Sequence, residues 1–166
     1  WSFGVLYKEI SVLYQAFVES GDSSPLPDLP FQYGDYALWQ HDFLQGIRME
    51  KLLTYWRRQL ADLTPLQLPT DRIRTTLSTF KGARQGFALG NALTAKLKHW
   101  SQQERVTLFT TLLTCYKVLL FRYSGQTDIA VGTMKHNRTH KEVESLIGMF
   151  MNTLVLRSDL SDNPNF

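Results

Sequence analysis

Four histidines, one cysteine and scattered carboxylates are the side chains of this chain that could do chemistry. His136, His140 and Glu144 recur every four residues, the spacing at which one helical face offers ligands to zinc. Asn137-Arg138, however, marks a change from strand to helix that breaks such a face, so no metal site is expected. His41 occupies a helical position in WQHDF, and His99 sits beside Trp100 at a helix edge; neither has an evident nucleophile. Cys115 lies between Thr114 and Tyr116 in an apolar helical stretch with no polarising neighbour, which predicts a buried, inert thiol. As the single cysteine it can form no internal disulfide, which suits a reducing cytoplasm. A carboxylate in a cleft could do acid or base work, but Asp35 opens a helical pattern and reads better as a helix cap.

More informative is Ile147 to Arg157, IGMFMNTLVLR, where a glycine and an Asn-Thr pair interrupt an apolar, β-branched run. Gly148 lets another part of the chain approach closely or breaks the ladder with a bulge. Asn152 carries two donors and one acceptor that need partners if buried. Such a strand is expected to border a site, with Asn152 and Thr153 as its polar members and Gly148 and Phe150 shaping it.

The elements that must position these residues follow from periodicity. Ser2 is placed to cap a first helix, by accepting from the Val5 amide, with Phe3, Leu6, Ile10, Leu13 and Phe17 at helical spacing. Gly21, Pro25, Pro27 and Pro30 end it and make an extended connector. Asp35 begins a second helical region that Gly46 bends or splits. Leu63 to Arg74, with Pro65 and Pro69, reads as a linker. Gly86 to Leu89 is expected to be a short strand, Asn91 to cap the next helix, and Thr107 to start another that stops at Ser124-Gly125. Two strands follow, Ile129 to Met134 and Phe150 to Leu156, separated by a short helical piece at Glu142 to Leu146. Strands alternating with helices indicate an α/β architecture.

Composition narrows the possibilities. With 43% hydrophobic and 20% charged residues among 166, the chain is globular, and no run reaches the roughly 20 apolar residues of a bilayer span. The net charge of +3 is spread over scattered residues, among them Arg57, Arg58, Arg72, Arg74, Lys81, Arg84, Lys135 and Arg138. Without a basic stripe interleaved with aromatics, nucleic-acid binding is not expected. A mildly positive surface would still attract acidic partners.

Three segments, in order, resemble the condensation domains of nonribosomal peptide synthetases. YGDYALW at Tyr33 to Trp39 is similar to that family's Y-x-D-(F/Y)-A-x-W. RYSGQTDIAVGTMKHNR, ending at Arg138, is similar to RYSGQ-x-D-I-x-VG-x-x-x-x-NR, and IGMFMNTLVLR to IG-x-F-V-N-T-x-x-x-R, with Met151 where valine is usual. LPTDR at Leu68 to Arg72 and the closing Asp159-Leu160 with Asn163-Pro164-Phe166 fit the same pattern. The likeness covers essentially the whole chain. It implies a chloramphenicol-acetyltransferase-like, two-lobed α/β fold with a tunnel between the lobes, in which residues 1–31 end the N-terminal lobe and residues 33–166 begin the C-terminal lobe. It also implies amide formation between a carrier-bound acyl or peptidyl thioester and a carrier-bound aminoacyl amine. The substrates would ride on phosphopantetheine arms; the partners would be carrier proteins and neighbouring synthetase domains.

The family's reaction centre, His-His-x-x-x-Asp-Gly, is normally followed at once by Trp-Ser, and Trp1-Ser2 opens this chain. The resemblance therefore implies an internal fragment with no catalytic residue, inactive by itself and with uncovered apolar faces. Arg138 matches the arginine that pairs with the aspartate of that motif, and Asn152, Thr153, Gly148 and Phe150 match the tunnel-lining strand. No metal or redox cofactor is implied. QYGDYALWQ and LPTDR favour the subtype that takes an L-configured donor. Two other readings stay open: an epimerisation, heterocyclisation or other acyltransferase relative, and a non-catalytic module that contacts carrier proteins.

Overall fold

A computed structural model of the protein describes residues 1–19, 21, 23–72, 82–162 and 164. Arg74, Lys81, Asn163 and Phe166, named above, lie outside them, as do the last two positions of the expected linker. The described elements are α1 (Ser2–Glu19), α2 (Tyr33–Phe43), α3 (Gly46–Gln59), α4 (Asn91–Gln103), α5 (Leu108–Ser124), β1 (Asp128–His136), a 3₁₀ turn (Lys141–Val143) and β2 (Met151–Asp159). The two strands pair with each other. The Asn137 amide donates to the Phe150 carbonyl at 2.7 Å and the Leu160 amide to the Thr127 carbonyl at 2.8 Å, so the pairing is antiparallel.

The chain divides into two compact units, Trp1–Ala61 with Gly132–Val155, and Asp62–Val131 with Leu156–Phe166. The first unit has a core of Tyr36, Val143, Leu146 and Phe150, with Leu29, Phe31 and Tyr33 packed against it. In the second, Ile129, Leu120, Thr111 and Ser101 are buried. The hydroxyls of Ser101 and Thr111, 2.7 Å apart, tie α4 to α5. Lys117 is buried too, and its ammonium donates to the Ser158 hydroxyl at 2.7 Å. Burial pulls its pKa below the ordinary lysine value. Gln126, from the SGQ turn, accepts from the Gln67 amide at 2.6 Å and donates to the Pro65 carbonyl at 3.3 Å, fixing the start of the linker.

Several local expectations are met. Thr107 caps α5 by accepting from the Thr110 amide at 3.1 Å, and Gly125 ends that helix in the left-handed region at φ 71°. Gly46, at φ 61°, separates α2 from α3.

Others are corrected. Gly86 to Leu89 forms no strand; the described sheet holds only β1 and β2, and a segment without a partner strand makes no ladder. Asn91 does not cap α4: it is the first helical residue, and Gly90 occupies the cap position without a side-chain bond. Ser2 is not a cap either, because it lies inside α1 and its hydroxyl is engaged elsewhere. Asp35 caps α2 from the third helical position, accepting from the Gln32 amide at 2.8 Å, since the helix starts at Tyr33. The 3₁₀ turn comes earlier than Glu142 to Leu146, and β2 begins at Met151. Cys115 is exposed, not buried. It stands about 200° of helical rotation from the buried Lys117 and one turn after the buried Thr111, at the edge of the covered side of α5.

Much apolar surface is uncovered. No residue of α1 is buried; Phe3, Tyr7 and Tyr14 are 72%, 66% and 73% exposed. On α5, Phe109, Leu112, Tyr116, Leu119 and Tyr123 recur at helical spacing and are all exposed. Contiguous apolar faces of this kind drive association. The 166-residue chain is therefore expected to enhance the fluorescence of a hydrophobic dye and to self-associate in light scattering. A dye-silent, monodisperse monomer at micromolar concentration would contradict this.

Asp128 and Arg157 close the sheet end of the second unit with two parallel bonds, Nε to Oδ1 at 2.8 Å and Nη2 to Oδ2 at 2.7 Å. The bond from Arg157 holds the Asp128 carboxyl below the ordinary aspartate range, against a smaller opposing effect of burial. A carboxylate whose pKa is depressed by folding stabilises above its unfolded value, about 3.9, and loses that contribution as pH falls through the folded value. Urea midpoints should thus show a constant deficit for Asp128→Asn above about pH 5 that narrows on acidification below about pH 4. A deficit independent of pH would refute the assignment.

Candidate functional site

The site is built where β1 ends. Backbone pairing between Asn137 and Phe150 sets Arg138 beside the segment that leads into β2. The Arg138 guanidinium then gathers that segment around itself. Nη1 donates to the carbonyls of Val143 and Glu144, and Nη2 donates at 2.8 Å to both the Leu146 carbonyl and the Ser2 hydroxyl. Its central carbon lies 3.9 Å above the Phe150 ring centroid and 5.9 Å from that of Trp1. Arginine suits this position because its rigid fork meets several acceptors at once while its plane stacks on a ring. Burial lowers its pKa from the ordinary arginine value, against weaker opposing effects of Glu144 and Tyr36.

Ser2 completes the arrangement. Its hydroxyl donates to the Gly148 carbonyl at 2.8 Å and accepts from the Gly148 amide at 3.2 Å as well as from Arg138. The Trp1 indole donates to the Glu144 carbonyl at 2.8 Å. The start of α1 is thereby held against residues 144–148 by side chains from both sides. Gly148 is needed for close approach: a Cβ there would collide with the Tyr33 ring. That ring is itself fixed, by a 2.9 Å bond from its hydroxyl to the Met149 carbonyl and by edge contact with Phe150 at 5.1 Å. A cavity of about 280 Å³ opens beside the guanidinium, lined by Trp1, Ser2, His136, Arg138, Gly148 and Met151 among others.

Among the described residues, Arg138 has carbonyls and a hydroxyl as its hydrogen-bond partners, and no carboxylate. Its Nε is buried and lacks a hydrogen-bond partner among them. A guanidinium cannot shuttle protons at ordinary pH, so Arg138 can orient a loop and receive an anion but cannot itself act as acid or base.

The other sequence candidates fall as follows. Asn152 and Thr153 are exposed near the start of β2, with the Thr153 methyl against Gly132. Phe150, 4% exposed, is a core residue beneath Arg138. Asp35 is engaged in capping. The histidines are dispersed: His41 lies in the last turn of α2, His99 is exposed on α4, His136 ends β1, and His140 meets the Trp39 ring edge-on at 5.7 Å. Among the described residues, no three His, Cys, Asp or Glu side chains come together as a metal site. Sequence reasoning missed Ser2 as a hydrogen-bonding hub, the Asp128–Arg157 pair, and His136 on the wall of the arginine cavity. Both members of that pair stand inside the recognised motifs, which is the signal that could have linked them.

A family profile described as Condensation domain matches residues 1–166. The chain is 47% identical over 166 residues to chondramide synthase cmdD of Chondromyces crocatus, covering all of itself and 4% of that protein. It is 46% identical over 165 residues to malpinin synthetase of Mortierella alpina, covering 99% of itself and 2% of that protein. Among solved structures, the X-domain from teicoplanin biosynthesis superposes with a TM-score of 0.87 at 24% identity, over 98% of this chain and 37% of that one. The chain thus spans a small part of its curated relatives' length.

The arginine centre and the glycine approach should be coupled energetically. Arg138→Ala leaves the carbonyls of Val143, Glu144 and Leu146 without this donor and should cost about 3 kcal/mol of unfolding free energy. Gly148→Ala forces the ring of Tyr33 aside and should cost about 2 kcal/mol. Since both act on residues 144–150, the double variant should lose less than the sum. Urea unfolding of the four proteins checks this; strict additivity would show that the two contacts are independent.

Proposed function

The chain belongs to the condensation-domain family, whose α/β fold is of the chloramphenicol-acetyltransferase type, and on that premise we propose that it is part of an amide-forming domain of a nonribosomal peptide synthetase. In the proposed reaction the nitrogen lone pair of a carrier-bound aminoacyl group attacks the carbonyl carbon of an upstream thioester. The C–N bond forms, the C–S bond breaks, the upstream phosphopantetheine leaves as its thiol, and the amine gives up a proton. The partners are the two carrier proteins and the neighbouring domains, in a cytoplasmic setting. No single described helix is long and apolar enough to cross a membrane.

Arg138 carries this reading. Its guanidinium is held at the first turn of α1, next to Trp1 and Ser2, and among the described residues it keeps one buried nitrogen without a partner. An aspartate reaching that Nε from the His-His-x-x-x-Asp-Gly motif would complete the guanidinium's bonds. It would also anchor the loop that presents the histidine which positions or deprotonates the amine. On this reading Arg138 is a positioning residue, Asn152 and Thr153 face the tunnel, and Gly148 and Phe150 fix the course of that strand. Residues 1–31 close the N-terminal lobe and residues 33–166 begin the C-terminal lobe. None of His41, His99, His136 and His140 takes the catalytic place, so the chain alone supplies the scaffold and not the base.

Two carriers loaded with labelled amino acids and followed by mass spectrometry test the proposal. The 166-residue chain is expected to release no dipeptide above a protein-free control, while a complete domain containing these residues does. Arg138→Ala in that domain should lower thermal stability and turnover together. Dipeptide from the 166-residue chain, or a variant with full turnover and a lowered melting point, would overturn the assignment.

A further inference from the structure

The rings of the first unit form a ladder. Phe150 stands 4.8 Å from Tyr36, Tyr36 5.7 Å from Trp39, and Trp39 4.8 Å from Phe43. A guanidinium closes each end: Arg138 lies 3.9 Å over Phe150, and Arg48 lies 3.5 Å over Phe43. Midway, Trp39 remains 44% exposed and borders a cavity of about 380 Å³. Phe31, Tyr36 and Val143 supply its apolar walls, while Asp35, Glu142 and His140 contribute polar groups. Among the described residues, no lysine or arginine lines it. An aromatic face attracts cations, and two carboxylates beside it give the cleft a negative sign that nothing in this lining neutralises. Asp35 is held in place by the Gln32 amide, so that carboxylate is oriented in advance.

We infer that this cleft receives the guanidinium of an arginine presented by another polypeptide segment, a binding role separate from amide formation. Arginine fits because its plane stacks on an aromatic face, as the guanidiniums of Arg138 and Arg48 already do at the two ends of the ladder, while its fork can reach carboxylates. A polypeptide source fits because Trp39, Asp35, Glu142 and His140 are all solvent-exposed. The cleft therefore covers a head group and leaves the rest of the ligand to find contacts elsewhere, whereas pockets for free small molecules enclose most of their ligand.

The probes are blocked arginine (N-acetyl-arginine methylamide), the neutral citrulline analogue and tetramethylammonium, each titrated into the chain while the Trp39 indole N–H is followed by NMR. That signal is assigned by its loss in Trp39→Phe. Blocked arginine should shift it and citrulline should not. Glu142→Gln should weaken the effect roughly threefold to tenfold, whereas Glu50→Gln on α3 leaves it unchanged. Retained Trp1 and Trp56 signals verify that the Glu142 variant is folded. Equal shifts from citrulline, no shift from blocked arginine, tighter binding of tetramethylammonium, or an unaffected Glu142→Gln would each overturn the inference. The titration involves no carrier or thioester, so its failure would leave the condensation reading standing.

Discussion

A guanidinium withdrawn from water keeps its charge, so the groups around it must replace the solvent it has lost. At Arg138 that role falls to carbonyls of residues 143, 144 and 146, to the Ser2 hydroxyl and to the face of Phe150. Each donor points in a fixed direction, so satisfying them fixes the path of the chain after the 3₁₀ turn. Residues 143–148 have little regular structure of their own. Their shape follows from the arginine, and so does the attachment of the first turn of α1, which has no buried side chain to hold it.

The same cation links the polar centre to the apolar core. Phe150, under the guanidinium, belongs to the buried cluster with Tyr36, Val143 and Leu146. Gly148 admits the Tyr33 ring to the same place, and the Tyr33 hydroxyl returns to the Met149 carbonyl. Hydrogen bonding and ring packing therefore constrain the same few residues, and a change in either should be felt by the other. The second unit is secured differently, by the hydroxyl pair between α4 and α5 and by the ion pair at the end of its sheet segment.

This division bears on the part proposed for the chain in amide formation. Its ordered polar centre is rich in hydrogen-bond acceptors arranged around one permanent cation. Such a centre holds geometry. The four histidines occupy a strand end, a helix end, a helix surface and a ring contact, and none has, among the described residues, the neighbours that would turn it into a base.

The sequence by itself determined the elements whose signals are local. Thr107 and Gly125 bound α5, Gly46 splits α2 from α3, and β1 and β2 fall near their apolar, β-branched runs, because caps, turns and periodicity act over a few residues. Motif order also brought Arg138 and Gly148 into view as residues that a plain strand would not need. Only the tertiary structure decided how those residues are used. Ser2 resembles a cap in sequence, yet its hydroxyl serves Gly148 and Arg138, which lie 146 and 136 positions away. Cys115 sits in an apolar stretch, but which residues of α5 are covered depends on its neighbours in space, and Cys115 is left exposed. Gly86 to Leu89 has the composition of a strand and no described strand beside it. Long-range partners made these choices, and a local pattern carries no record of which distant group will arrive or from which side.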